Sequence, residues 1–118
     1  MATGIIQAQT TEVFDFGAGA ADITAFGHGV FDRNTGMVRL YLTARNTSAD
    51  ITNLDILATI PVGYRPKYNL NRATCMCRTN NGTVAAYHAT ISSTGDIRQN
   101  LGSTVREVFL VYEYSINS

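Results

Sequence analysis

Residues 54–69 read LDILATIPVGYRPKYN, an alternating strand that runs into a stiff turn holding both prolines of the chain. Leu54, Ile56, Ala58 and Ile60 fall on one side, with Asp55 and Thr59 on the other, the period of two that a half-buried strand requires. Pro61 ends the strand. Gly63 supplies a permissive backbone, while Pro66 fixes its own φ and pushes Arg65 towards an extended conformation. The turn is therefore expected to present Tyr64 and Arg65 in a defined direction.

Moving outward from this stretch, the same alternation recurs. Ahead of it, residues 36–46 (GMVRLYLTARN) place Val38, Leu40, Leu42 and Ala44 inward and Arg39, Tyr41, Thr43 and Arg45 outward. Behind it, residues 70–80 set small inward Ala73, Cys75 and Cys77 against outward Arg72, Thr74, Met76 and Arg78. Asn80-Asn81-Gly82 is a hairpin signal into residues 83–91, and Ser93-Thr94-Gly95-Asp96 turns the chain into 97–101. Nearer the N-terminus, residues 23–33 read as a long strand. Its interior Gly27 and Gly29 point to a bulge or a close backbone approach. Asn34-Thr35-Gly36 turns it into the next strand.

No window shows helical periodicity with caps, and strands recur at intervals of ~8–12 residues. The expected fold is an all-β antiparallel β-sandwich of jelly-roll-like or related Greek-key topology. Residues 1–22 are expected to be an arm or linker with a possible short strand at 12–16, and residues 23–118 the sandwich domain.

At 118 residues the chain is one domain with room for a core. It is 45% hydrophobic and 15% charged with zero formal net charge, which argues against disorder and against nucleic-acid binding through a basic surface. The charge is uneven. Residues 1–60 carry three Arg against six acids and residues 61–118 six basic residues against three acids, so the halves stand at −3 and +3 and suit complementary contacts. Eight of the nine basic residues are Arg, whose planar fork suits interfaces and polar ligands. No run approaches the ~18 apolar residues of a membrane span. The opening MATGIIQAQTTEV shows no positive charge ahead of an apolar run, the mark of a secretory leader.

Cys75 and Cys77, two apart on a strand, share a face at a spacing poorly matched to a disulfide; they are expected as buried free thiols, which suits a reducing cytoplasm. No cofactor is called for. Gly-rich phosphate loops, nucleophile elbows and metal-helix motifs are missing from the sequence, and no enzyme is expected. The closing stretch, residues 105–116 (VREVFLVYEYSI), is apolar on both faces. A two-layer fold covers only one of them, so association with copies of itself is the economical cover for the other.

The stretch 61–66, Pro-x-Gly-Tyr-Arg-Pro between two strands, resembles the head domains that end many phage tail fibres and baseplate receptor-binding proteins. Residues 36–46 resemble the strand before that motif, ISSTGDI at 91–97 the strand-turn-strand after it, and residues 105–116 the last strand of such heads. The resemblance implies a β-sandwich head, usually trimeric, that binds bacterial cell-surface glycan, sits in the virion among other tail or baseplate proteins and is assembled in the host cytoplasm.

A saccharide site needs an aromatic face for C–H groups and charged or amide groups for hydroxyls. Without tryptophan, Tyr41, Tyr68, Tyr87 and His88 are the candidate platforms and Asp32 and Arg33 the polar partners. The hairpin turns near Asn34 and Asn81 are expected to bring Asp32, Arg33, Tyr87 and His88 towards shared surfaces. Phe109, Val111 and Val105 are the expected trimer contacts. Which face of the last strand meets the axis is open, because its even-numbered face is equally apolar. Two functions follow: a host-recognition head, or a structural virion component such as a decoration, adaptor or baseplate subunit.

Overall fold

Alternation becomes eight strands: β1 (Thr11–Phe14), β2 (Thr24–Asp32), β3 (Met37–Arg45), β4 (Ile56–Thr59), β5 (Leu70–Thr79), β6 (Val84–Ile91), β7 (Asp96–Gln99) and β8 (Val105–Ser115). The computed structural model describes residues 10–46, 51, 55–99 and 105–116, and no helix occurs among them. Every strand pairing is antiparallel, in the order β1-β2-β3-β8-β5-β6-β7-β4. This is one continuous sheet curled into a half-barrel, in place of two separately stacked sheets. Curling lets one face cover itself, so a single sheet encloses a core. An isolated bridge between Gly17 and Thr59, with N–H···O distances of 2.8 and 3.1 Å, ties the segment after β1 to β4 at the opposite end of the strand order.

Greek-key connectivity is present twice. Strands β5, β6 and β7 form a meander, β8 returns to lie beside β5, and β4 lies beside β7. The turn-rich stretch 60–69 is thus the crossover of the second key. It must carry the chain from β4 back across the width of β7 and β6 to β5, roughly 14 Å at a strand spacing of about 4.8 Å.

The inner face holds the core. Val38, Leu40, Leu42 and Ala44 of β3 meet Val108, Leu110 and Tyr114 of β8, Ala73, Cys75 and Cys77 of β5, and Ala89 and Ile91 of β6. On β4 simple alternation fails: a register shift between Ile56 and Ala58 buries Leu57 and Ala58 together and leaves Ile56 half-covered. The bulge turns Leu57 into the core, against the expectation that Ile56 faces inward. Leu54, the first inward position of that expectation, lies outside the described residues, as do residues 1–9 of the arm expected over 1–22.

The short strand expected near residues 12–16 is β1, and it is part of the sheet through four residue pairs with β2. Two glycines of β2 explain the fit. A Cβ on Gly29 would stand 2.0 Å from the Phe14 ring, and one on Gly27, where φ is +111°, would stand 1.9 Å from the Tyr41 carbonyl oxygen. The close approach suggested by the two glycines is a ring laid on bare backbone at Gly29 and a strand pressed against its neighbour at Gly27.

Candidate functional site

The crossover spends its most distinctive residues on the fold. Tyr64 stacks on Phe14 with ring centroids 4.3 Å apart and planes 8° from parallel, and Phe31 meets it edge-on at 5.4 Å. Its hydroxyl donates to Glu12 Oε1 at 2.8 Å, and Glu12 also pairs with Arg33 at 3.2 Å. The hydrogen bond to the Glu12 carboxylate, first, holds the Tyr64 hydroxyl above its ordinary pKa. Tyr114 donates to the Tyr64 carbonyl, and burial pushes the Tyr114 phenol upward. Arg65 Nε donates to the Ile60 carbonyl at 2.7 Å and packs against Gly95. The defined direction that the turn gives Tyr64 and Arg65 is thus inward, onto the chain's own strands. The exposed tip of the crossover is Val62, Lys67 and Tyr68, with the Lys67 ammonium 5.6 Å from the centroid of the Tyr68 ring.

The outer face is built from cross-strand rows, because residues paired directly across antiparallel strands project to the same side. One row is Phe26, Thr43, Phe109, Met76 and Ala86, crossing β2, β3, β8, β5 and β6. Its members are partly or largely exposed and mostly apolar. The next row is Arg45, Glu107 and Arg78, where the buried Glu107 carboxylate takes Arg45 at 2.6 Å and Arg78 at 3.6 Å. Arg45 also lies 5.8 Å from the centroid of the Phe26 ring. On the other side, Arg39 pairs with Glu113 at 2.9 Å and donates to the Tyr41 hydroxyl at 3.4 Å. The Tyr41 bond, first, and then the Glu113 carboxylate raise the Arg39 pKa. Val111 and Tyr41 lie between that ion pair and the apolar row.

Beside the β2–β3 turn, the same face carries a depression of about 290 Å³. Its apolar lining comes from Val30, Met37 and Tyr41, all half-buried, and its polar lining from Asp32, Thr35, Arg39, Glu113 and Thr11. Strand pairing places these side chains together: Thr11 opposes Asp32, Asp32 opposes Met37, and Val30, Arg39 and Glu113 form the next row. Asp32 is shaped by the turn, since its Oδ1 accepts the Asn34 N–H at 2.9 Å. Its Oδ2 makes no further hydrogen bond among the described residues.

The other residues singled out from sequence scatter. Arg33 turns to Glu12 and away from the depression that Asp32 lines. Tyr87 pairs with Cys75 and packs against the core, while His88 pairs with Thr74 on the outer face. β2 and β6 are four strand spacings apart, about 19 Å along the sheet, so Asp32 and His88 do not share a site. Tyr68 is 63% exposed on the crossover. Val105 lies in the chain's own core, which leaves Phe109 and Val111 as the outward members of the expected contact set. Arg39, Thr35 and Glu113 enter the depression without having been picked out. Only the strand pairing of β3 with β8, distant in sequence, shows Arg39 and Glu113 to be neighbours.

Cys75 and Cys77 are free, buried and 3.8 Å apart at sulfur. The contact with Cys75, first, and burial hold the Cys77 thiol far above its ordinary pKa, so it stays protonated. Among the described residues no group of three or more His, Cys, Asp or Glu is placed to hold a metal. Neither a scan against protein-family models nor a search of curated proteins returns a match for the chain.

Proposed function

We propose that the chain is a phage virion head domain for host recognition, of β-sandwich type with its one rolled sheet supplying both layers, which assembles as a homotrimer and binds bacterial surface saccharide. The observation that carries this reading is the depression beside the β2–β3 turn, where an aromatic and aliphatic lining meets carboxylate, guanidinium and hydroxyl groups held on paired strands. Its volume of about 290 Å³ lies just under the ~300–1,000 Å³ typical of small-molecule sites, the scale of one sugar ring. The resemblance of residues 61–66 and 105–116 to phage receptor-binding heads supplies the biological context, a virion assembled in a bacterial cytoplasm. The row through Phe109 and Met76, with Val111 beside it, supplies the trimer contact, since an apolar row across five strands is what a dry interface covers.

Adsorption tests the reading. The purified protein is expected to bind host cells and to compete with virions for them; a protein that assembles yet neither binds cells nor blocks adsorption sinks it. The second reading, a structural virion component such as a decoration, adaptor or baseplate subunit, is favoured by one observation. The motif's Tyr64 and Arg65 serve the fold, and the apolar row from Phe26 through Phe109 to Met76 is suited to protein contact.

A further inference from the structure

We infer that the depression over β1, β2, β3 and β8 takes a neutral or amino-bearing sugar ring and rejects phosphorylated or uronic-acid sugars. This rests on the saccharide-binding reading and adds the site and the charge class. Two carboxylates, Asp32 and Glu113, and one guanidinium, Arg39, line the recess. Arg39 is already committed to Glu113 at 2.9 Å and to the Tyr41 hydroxyl, so the charge left unbalanced is that of Asp32. An incoming anion would meet that carboxylate without a free guanidinium to offset it. Hydroxyl or ammonium donors meet the opposite situation. Asp32 Oδ1 is held by the Asn34 N–H, which orients the group and leaves Oδ2 as an acceptor for a charge-assisted hydrogen bond.

The apolar lining sets the rest of the geometry. Tyr41 is half-buried, with the His28 ring 5.3 Å away and the Arg39 guanidinium on its hydroxyl, so its ring is restrained in place. Val30 and Met37 continue the apolar surface towards Asp32. A pyranose laid with its C–H face on Tyr41 and Met37 turns its hydroxyl edge to Asp32 and Thr35. Both donors and acceptors come from strand or tight-turn positions, so little ordering is needed on binding.

The test is an array of bacterial glycans grouped as neutral, amino-bearing and acidic, probed with the wild-type protein and with Asp32→Asn, Tyr41→Ala and Arg39→Ala. Asp32→Asn keeps the Oδ1 acceptor of the turn, so a matching thermal midpoint checks that the fold is intact. Expected are wild-type binding confined to neutral and amino glycans, and about tenfold or greater weakening for Asp32→Asn and Tyr41→Ala, the scale of one charge-assisted hydrogen bond or one stacking face. Binding that survives both substitutions overturns the site and leaves saccharide recognition standing. A preference for acidic glycans that is lost in Arg39→Ala overturns the charge class. Wild-type protein that binds no glycan and no host cell overturns this inference together with the reading beneath it.

Discussion

Both faces of β8 carry large apolar side chains, Val108, Leu110, Tyr112 and Tyr114 on one and Phe109 and Val111 on the other, and they have opposite fates. Val108, Leu110 and Tyr114 look inward and are at most 5% exposed, closed over by β3 and β5. Phe109 and Val111 look outward, Val111 is 64% exposed, and the row is bounded by the Arg39–Glu113 pair on one side and the Arg45–Glu107–Arg78 cluster on the other. The curl encloses the more apolar face, and the outer face keeps two large apolar side chains between the carboxylates of Glu107 and Glu113. An exposed ion pair such as Arg39–Glu113 contributes little to stability, so that fence matters more for where a partner can seat. The buried Glu107 instead needs Arg45 and Arg78 to offset its charge.

Substitution on alternate residues of this strand puts the contrast under the greatest strain. Leu110→Ala should cost about 2–5 kcal/mol of unfolding free energy in denaturant titration, through lost burial and the cavity left behind. Val111→Ala, one position on, should stay within about 0.5 kcal/mol for the isolated chain. Equal losses at the two positions would erase the distinction between the faces.

Phe109→Asp sharpens the outer side. It should lower the stability of a single chain, in which Phe109 is half-buried, and also weaken self-association at least about a hundredfold, because a lone carboxylate in a dry contact goes uncompensated. Analytical ultracentrifugation at micromolar concentration reads this. A wild-type protein that sediments as a monomer removes the interface altogether.

A smaller effect separates the inner face by pH. Burial raises the Tyr114 pKa above its unfolded value near 10, so the native state holds its proton longer than the unfolded chain does. The stability it contributes is whole below about pH 10 and falls as pH rises beyond it, by up to about 1.4 kcal/mol per pH unit. Chemical denaturation between pH 8 and pH 11 should show the loss, and Tyr114→Phe should flatten it at the cost of the hydrogen bond to the Tyr64 carbonyl. An unchanged alkaline slope in that variant would assign the effect elsewhere.

Strand positions were legible in the sequence because a period of two survives any choice of partner. β3 and β5 carry their predicted inward residues without exception. The bulge in β4 was not legible, since Ile56, Leu57 and Ala58 are all apolar and only the register with β7 decides which are enclosed. Tyr64 was read as presented by its turn, but its partners Glu12, Phe14 and Phe31 lie 33 to 52 residues earlier, beyond the reach of local backbone preference. The candidate site was half legible. Asp32 and Tyr41 could be picked by chemistry, whereas grouping Asp32 with Arg33, and Tyr87 with His88, set neighbours in sequence together although alternation sends them to opposite sides.

Strand β8 comes after the seven others in the chain and yet lies between β3 and β5, joining the β1–β2–β3 meander to the β5–β6–β7 one. During synthesis both meanders are made before their joint exists. Each then shows an unpaired edge nine or ten residues long, rows of N–H and C=O groups that any neighbouring nascent chain can extend. Addition of residues 105–115 pairs the whole of the β3 edge and the Met76–Thr79 end of the β5 edge. The time a ribosome takes to travel from β5 to the end of β8 is thus the interval in which this protein is most open to aggregation, and a pause there should lower the yield of soluble chains more than a pause anywhere upstream.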